Sequence, residues 1–331
     1  MARPRLSAKT YIDGILAGNR VILSQAITLI ESNLDTDNIL AQEVLQAIIS
    51  HTGKSLRIGI TGVPGVGKST FIESFGGLFT HQNKKIAVLA IDPTSQISGG
   101  SIMGDKTRME NLSIDKNAYI RPTPAGNSLG GVARKTRETM LLCEAAGFEI
   151  ILVETVGVGQ SEIAVKQMTD FFLLLMLAGA GDELQGVKRG IMEVADALVI
   201  TKSDGENQKH AYRAKIEYEN ALHLFPSKEN KWIPPVLTCA AIQNQGMNEV
   251  LEMIEKYVIH TKNNNFFYQQ RENQNLYWLH QNIKDVFEER FYQHINIKKS
   301  LKEYENNVKN GHIPPWQAAK DLWKIFENNF D

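Results

Sequence analysis

The chain has 331 residues, a formal net charge of −1, 43% apolar side chains and two cysteines. That length accommodates a large α/β core with helical additions, and the near-neutral charge gives no general electrostatic attraction to nucleic acid or an anionic membrane. Cys143 and Cys239 have no metal-type neighbours and are expected to be two buried thiols in a reducing compartment.

The first residues are basic but lead into a stretch with neither an apolar signal core nor an extended Arg/Ser-rich transit pattern, so a cytoplasmic location is expected. Residues 7–52 carry apolar positions at helical spacing, including Ile15, Val21, Ile22, Ile27, Ile30, Leu40, Val44 and Ile48, which predicts two or three helices ahead of the core. From 56 to about 260, strand-like runs near 56–61, 85–91, 118–122, 148–153, 171–178, 197–201 and 235–239 alternate with helical ones. Such alternation predicts a mostly parallel sheet with helices on both faces, which binds ligands beyond the carboxyl ends of its strands. The run 171–178 is far short of the roughly 20 residues of a membrane helix and reads as a central strand buried on both faces. Beyond Tyr257 the chain becomes Asn/Gln-rich and helical. Leu276, Leu279, Ile283 and Val286 form a short seam, which is either a tail packing on its own core or a dimerisation arm.

Gly62, Val63, Pro64, Gly65, Val66, Gly67, Lys68, Ser69 and Thr70 spell a complete phosphate-binding loop between a strand and a helix expected from about Lys68 to Phe79. Glycines let several backbone N–H groups turn toward one anion, Lys68 adds a point charge, and the Ser69 hydroxyl can ligate Mg²⁺. The helix N-terminus aims its dipole at the same phosphates. The alternative is a glycine-rich turn that binds nothing.

Other strand ends supply carboxylates. Asp92 ends the run 86–91 and opens a long Gly/Ser-rich segment containing Asp105; both acids are candidates for Mg²⁺ contact, direct or through water, or else cap and turn residues. Glu154 ends the run 148–153 with Gly157 three residues on, the arrangement that orients Mg²⁺ and reports the γ-phosphate in nucleoside triphosphatases. Thr201, Lys202, Ser203 and Asp204 end a strand with Lys-x-Asp. A carboxylate there accepts the N1–H and 2-amino hydrogens of guanine, which adenine lacks, while the Lys202 stem can lie over the base. Ala240 and Ala241, after the last strand, are candidates for a backbone contact to the guanine oxygen. The glycine-rich segment 177–190 carries Asp182, Glu183, Gln185, Lys188 and Arg189; it is either a loop that moves with nucleotide state or an ordinary charged connection.

These blocks, together with 99–108, 154–162 and 181–190, resemble the MeaB/ArgK family of P-loop GTPases, G-protein chaperones of cobalamin-dependent methylmalonyl-CoA mutase. The resemblance spans nearly the whole chain. It implies a P-loop NTPase fold with a mostly parallel central sheet, an N-terminal helical extension over 1–54, a GTPase domain over 55–262 and a C-terminal helical dimerisation arm over 263–331. It also implies GTP/GDP and Mg²⁺ as ligands, with Ser69, Asp92, Asp105 and Glu154 organising the metal and Lys202 with Asp204 selecting guanine. Lys68, Glu154, Asp182, Gln185 and Lys188 are the implied catalytic residues, the last three as the working residues of a switch that couples nucleotide state to the mutase. The implied partners are methylmalonyl-CoA mutase or a related acyl-CoA mutase, a second copy of the chain and, as a further candidate, a cobalamin adenosyltransferase; no nucleic acid or membrane partner is expected. Two departures stand out. Thr201 occupies the place of the usual Asn before Lys-x-Asp, and no Gln directly follows Gly157, Gln160 lying three residues later, so slow intrinsic hydrolysis accelerated by a partner is expected. The alternatives are an ATPase or kinase of lysine/arginine/ornithine transport and a metallochaperone GTPase.

Overall fold

Seven parallel strands carry the fold, and in the computed structural model the described residues are 5–91, 109–123, 129–155, 161–179 and 189–327. Three helices precede the sheet: α1 (Ala8–Leu16), α2 (Arg20–Glu31) and α3 (Asp35–Ile48). Their starts follow from local chemistry. Ser7 accepts from the Thr10 N–H, and Asn19 accepts from the Val21 and Ile22 N–H groups, which satisfies donors that the first helical turn leaves without intrahelical partners.

The strands are β1 (Leu56–Gly62), β2 (Ile86–Ile91), β3 (Ala118–Thr123), β4 (Ile150–Thr155), β5 (Phe171–Leu177), β6 (Ala197–Thr201) and β7 (Val236–Thr238). Between them run α4 (Lys68–Thr80), α5 (Glu110–Ile114), α6 (Leu129–Ala145), α7 (Ser161–Lys166), α8 (Arg189–Val194) and α9 (Gln208–Leu222). After β7 come α10 (Met247–Asn263), α11 (Phe266–Gln293), α12 (Ile295–Lys309) and α13 (Pro315–Glu327). The sheet order is β3-β2-β4-β1-β5-β6-β7. β1 is therefore central, and the chain builds one half of the sheet before β5 opens the other. At this switch point the carboxyl ends of β1, β4, β5 and β6 lie side by side.

Residues 171–176 are buried along β5 beside β1, as the continuous hydrophobicity of the run predicts. Phe71, Phe75 and Phe79 recur at four-residue spacing on α4, and all three are buried. Their rings stack at 5.3 Å and meet edge to face at 5.1 Å, which presses α4 onto the sheet. Both cysteines are buried and free, and burial pushes the Cys239 thiol up to about 12.

Buried ion pairs tie down the opposite end of the sheet. Arg57 on β1 holds Glu144 of α6 at 2.8 and 2.9 Å, and Arg271 of α11 holds Asp170 at 2.7 Å through both oxygens. Asp196, fully enclosed before β6, accepts from Lys166 and Lys228. No helix among the described residues is long and apolar enough to cross a membrane.

The chain forms two compact units, 1–274 and 275–331. Within the second, Ile297, Leu322 and Phe326 are buried together, with Phe291, Leu301 and Tyr304 packed against them. Pro315 opens α13 at the first helical position, where its missing N–H costs no hydrogen bond.

Candidate functional site

The predicted phosphate loop turns directly out of β1. A Cβ placed on Gly62 would lie 2.5 Å from the Leu175 carbonyl oxygen of β5, so only glycine allows the loop to leave the sheet at this point. Gly67, with φ 95°, caps α4 in the left-handed region, leaving the first N–H groups of that helix facing the loop.

Lys68 is buried at the start of α4, and its ammonium donates to the Gly62 carbonyl at 2.9 Å and the Val63 carbonyl at 3.3 Å. Burial lowers its pKa, while the negative charges of Glu154 and Glu162 act in the opposite direction. Ser69 follows it in the first turn; Pro64 and Gly65 on the loop and Thr70 in the first turn of α4 are exposed.

β6 braces the loop. The Thr201 hydroxyl donates to the Val66 carbonyl at 2.7 Å and approaches the Met176 carbonyl at 3.3 Å. Thus the Thr that departs from the usual Asn links β6 to the predicted phosphate loop. Lys202 has φ 56°, unusual for a residue with a Cβ, and its ammonium donates to the Gly65 carbonyl at 2.9 Å. Its side chain therefore reaches from the end of β6 to the predicted phosphate loop.

Asp204 receives the Gln243 side-chain amide at 2.8 Å on one carboxylate oxygen. Gln243 sits in a short closed loop: Ala240 and Gln245 exchange backbone hydrogen bonds at 3.0 and 3.1 Å, and Asn244 takes a left-handed φ of 55°. Two further bonds fix that loop, Ser203 N–H to the Cys239 carbonyl at 3.0 Å and the Ser74 hydroxyl to the Ala241 carbonyl at 2.6 Å. The turn that carries Ala240 and Ala241 is thereby held near Asp204 through Gln243. Gln243 and Ser74 carry no motif signal and emerge only from the fold.

Glu154 is the penultimate residue of β4, opposite Ile60 of β1, and is 8% exposed. The adjacent Thr155 hydroxyl donates to that of Thr61 at 2.7 Å, joining β4 and β1 immediately before the loop. The Ser69 hydroxyl in the first turn of α4 and the Glu154 carboxylate near the end of β4 are hard oxygen donors of the kind Mg²⁺ takes, so the chemistry of these residues fits a Mg²⁺-nucleotide. Asp92, Asp105, Gly157, Asp182, Gln185 and Lys188 lie outside the described residues.

A separate cavity of about 790 Å³ lies between α1, α2 and β3, lined by Arg5, Tyr11, Arg20, Tyr119 and Arg121. Its arginines are engaged: Arg5 with Asp37, Arg121 with Glu31, and Arg20 with the Ala118 carbonyl.

A family profile described as Methylmalonyl Co-A mutase-associated GTPase MeaB matches residues 23–296. The chain is 44% identical over 323 residues to a putative GTPase of Caulobacter vibrioides, covering 98% of this chain and 99% of that one. It is 41% identical over 313 residues to the GTPase ArgK of Escherichia coli, covering 95% of each. The mouse methylmalonic aciduria type A homolog, mitochondrial, is 43% identical over 325 residues, 95% of this chain and 78% of that one. Among solved structures, a crystal structure of a LAO/AO transport system kinase matches with TM-score 0.76 and 34% identity over 99% of this chain and 100% of its own.

Proposed function

The chain belongs to the methylmalonyl-CoA mutase-associated GTPase family, and from that membership we propose that it is a Mg²⁺-dependent GTPase serving as chaperone to methylmalonyl-CoA mutase or a related cobalamin-dependent acyl-CoA mutase. The observation that carries this reading is the joining of a phosphate loop to a guanine-type strand end: Thr201 bonds to Val66, Lys202 bonds to Gly65, and Asp204 stands two residues beyond Lys202.

In this reading, backbone N–H groups of residues 62–70 and the Lys68 ammonium surround the phosphates. Lys68 leaves its carbonyl partners for the β- and γ-phosphate oxygens, so the charge that now closes the loop on itself becomes available to the transition state. Asp204 accepts from guanine N1–H and the 2-amino group. Ser69 and Glu154, with Asp92 and Asp105, are the residues that would hold Mg²⁺, which when bound neutralises charge developing on the phosphates. Hydrolysis removes the γ-phosphate, which Gly157 contacts, and frees the segments 92–108, 154–162 and 178–188, with Asp182, Gln185 and Lys188 as the working residues of the switch. Their rearrangement gates cobalamin loading and protects or reactivates the mutase. A cobalamin adenosyltransferase is a further candidate member of that complex, and a cytoplasmic setting is part of the proposal.

The arm reading is supported by exposure. Leu276, Leu279, Ile283 and Val286 on one stripe of α11 are between 42% and 56% exposed, an apolar seam suited to a second copy of the chain. The kinase reading suggested by the structural relative predicts ATP preference, which Asp204 opposes.

Binding of labelled GDP and ADP, followed by GTP turnover with and without purified mutase, tests the proposal. GDP should bind far more tightly than ADP, and the mutase should raise turnover. Equal binding of ADP would remove the guanine reading; unchanged turnover with no complex on gel filtration would remove the chaperone reading.

A further inference from the structure

Glu162 lies in the first turn of α7 and is 1% exposed, yet neither of its carboxylate oxygens has a hydrogen-bond partner. Buried polar groups in folded proteins are almost always satisfied, so an acid with two bare oxygens calls for a ligand that satisfies it. Lys68 and Lys166 bond elsewhere. Lys68 donates to the Gly62 and Val63 carbonyls, and Lys166, on the same helix, is committed to Asp196 at 2.5 Å. Gln274 donates its amide to the Lys166 and Thr169 carbonyls at the far end of α7.

The position of the acid is equally specific. α7 lies directly on β1: a Cβ on Gly59 would come within 2.8 Å of Val165 and 3.0 Å of the Thr169 hydroxyl. Glu162 is three residues before Val165, and its negative charge reaches the Lys68 ammonium together with that of Glu154. Two acids thus act on one phosphate-site lysine. Glu154, near the end of β4, is one of the residues that would hold Mg²⁺ in the proposed function; Glu162 belongs to the helix that follows β4 in the chain.

We propose that Glu162 is a catalytic residue, the acceptor that orients the hydrolytic water against the γ-phosphate. The proposal rests on the reading of this site as a GTPase and supplies, from within the chain, the group that the missing Gln after Gly157 would otherwise provide. Water oxygen forms a bond to the γ-phosphorus while the bond from phosphorus to the β–γ bridging oxygen breaks, its electron pair leaving with GDP. The proton of the water passes to the Glu162 carboxylate and from there to the released phosphate. Burial of the acid keeps bulk water from competing for its oxygens.

The test is single-turnover GTP hydrolysis and fluorescent-GDP binding by the full chain with Glu162→Gln and Glu162→Asp, each with a melting curve of the nucleotide-free protein. Glu162→Gln should lower the hydrolysis rate about 100-fold, within the usual range for losing a general base, while binding of GDP and of a non-hydrolysable GTP analogue stays within about twofold. The same variant should melt about 2–4 °C higher than wild type, because it replaces a buried acid that has no partner by a neutral group of the same shape. Glu162→Asp should recover part of the rate. A Glu162→Gln rate within threefold of wild type, a parallel loss of rate and affinity, or a lowered melting temperature would each overturn the assignment while leaving the GTPase reading intact. A wild-type protein that neither binds GDP nor hydrolyses GTP would overturn both.

Discussion

Replacing Thr201 by Val removes one hydroxyl and keeps the shape of the side chain, which isolates the brace between β6 and the phosphate loop. The hydroxyl is within a residue 3% exposed, and its 2.7 Å bond to the Val66 carbonyl is the shorter of its two contacts. Leaving a buried carbonyl without that donor costs about 1–3 kcal/mol, whereas a typical satisfied bond contributes only about 1 kcal/mol net. If the loss falls wholly on the nucleotide-binding conformation, the dissociation constant for GDP rises about 5- to 150-fold, at 1.4 kcal/mol per decade. Fluorescent-GDP titration measures it, with thermal melting run in parallel to register any part of the loss that falls on folding instead. Thr201→Ser keeps the donor and loses one methyl, a change of about 0.8 kcal/mol, so it should bind GDP nearly as wild type. The reasoning fails if Thr201→Val binds GDP and melts as wild type, or if Thr201→Ser is as impaired as Thr201→Val, since packing and not the hydrogen bond would then be responsible.

Gly62→Ala forces a Cβ to 2.5 Å from the Leu175 carbonyl, so it should lower the melting temperature and abolish measurable GDP binding; retention of both would show that the loop can leave β1 by another path. Gln243→Ala frees Asp204 to rotate and should weaken GDP binding about 2- to 10-fold with the hydrolysis rate at saturating GTP unchanged, since this bond is exposed and is taken at the typical net contribution of about 0.5–1.5 kcal/mol. Leu279→Asp or Ile283→Asp places a charge in the exposed seam of α11 and should yield monomers in light scattering while GDP binding persists. Acid should destabilise the fold through its buried pairs. Burial acts to raise the Glu144 and Asp196 pKa values, yet Arg57 and Ser55 for the first, and Lys166 and Lys228 for the second, outweigh it and hold both below the ordinary range. Their contribution to stability is therefore complete above about pH 4.5 and is lost as pH falls through the lowered values. Melting temperatures from pH 7 to 3.5 check this, and Glu144→Gln should melt lower at pH 7 but lose less on acidification.

Much of this molecule was legible before folding because it depends on short-range order. Seven apolar runs became seven strands, the phosphate loop declared itself between a strand and a helix, and α4 began at Lys68 where the glycines end. Lys202 and Asp204 could be placed at a strand end by their own neighbours in sequence. The cross-chain devices could not. Thr201 reaches Val66 across 135 residues, Ser74 reaches Ala241 across 167, and Arg57 finds Glu144 across 87. Each of these pairings requires knowing which strands are adjacent, and the order β4-β1-β5-β6 leaves no periodic trace in the residues themselves. Gln243 reads in sequence as one more amide in a polar turn, and Glu162 as an acid in a first helical turn; only the packing of α7 onto β1 shows that the latter is enclosed without a partner. Local periodicity and backbone chemistry determined the strands, the loop and the type of ligand. The tertiary structure decided which side chains brace that loop and which buried acid is left to meet the water, because hydrogen bonds and desolvation act through space and not along the chain.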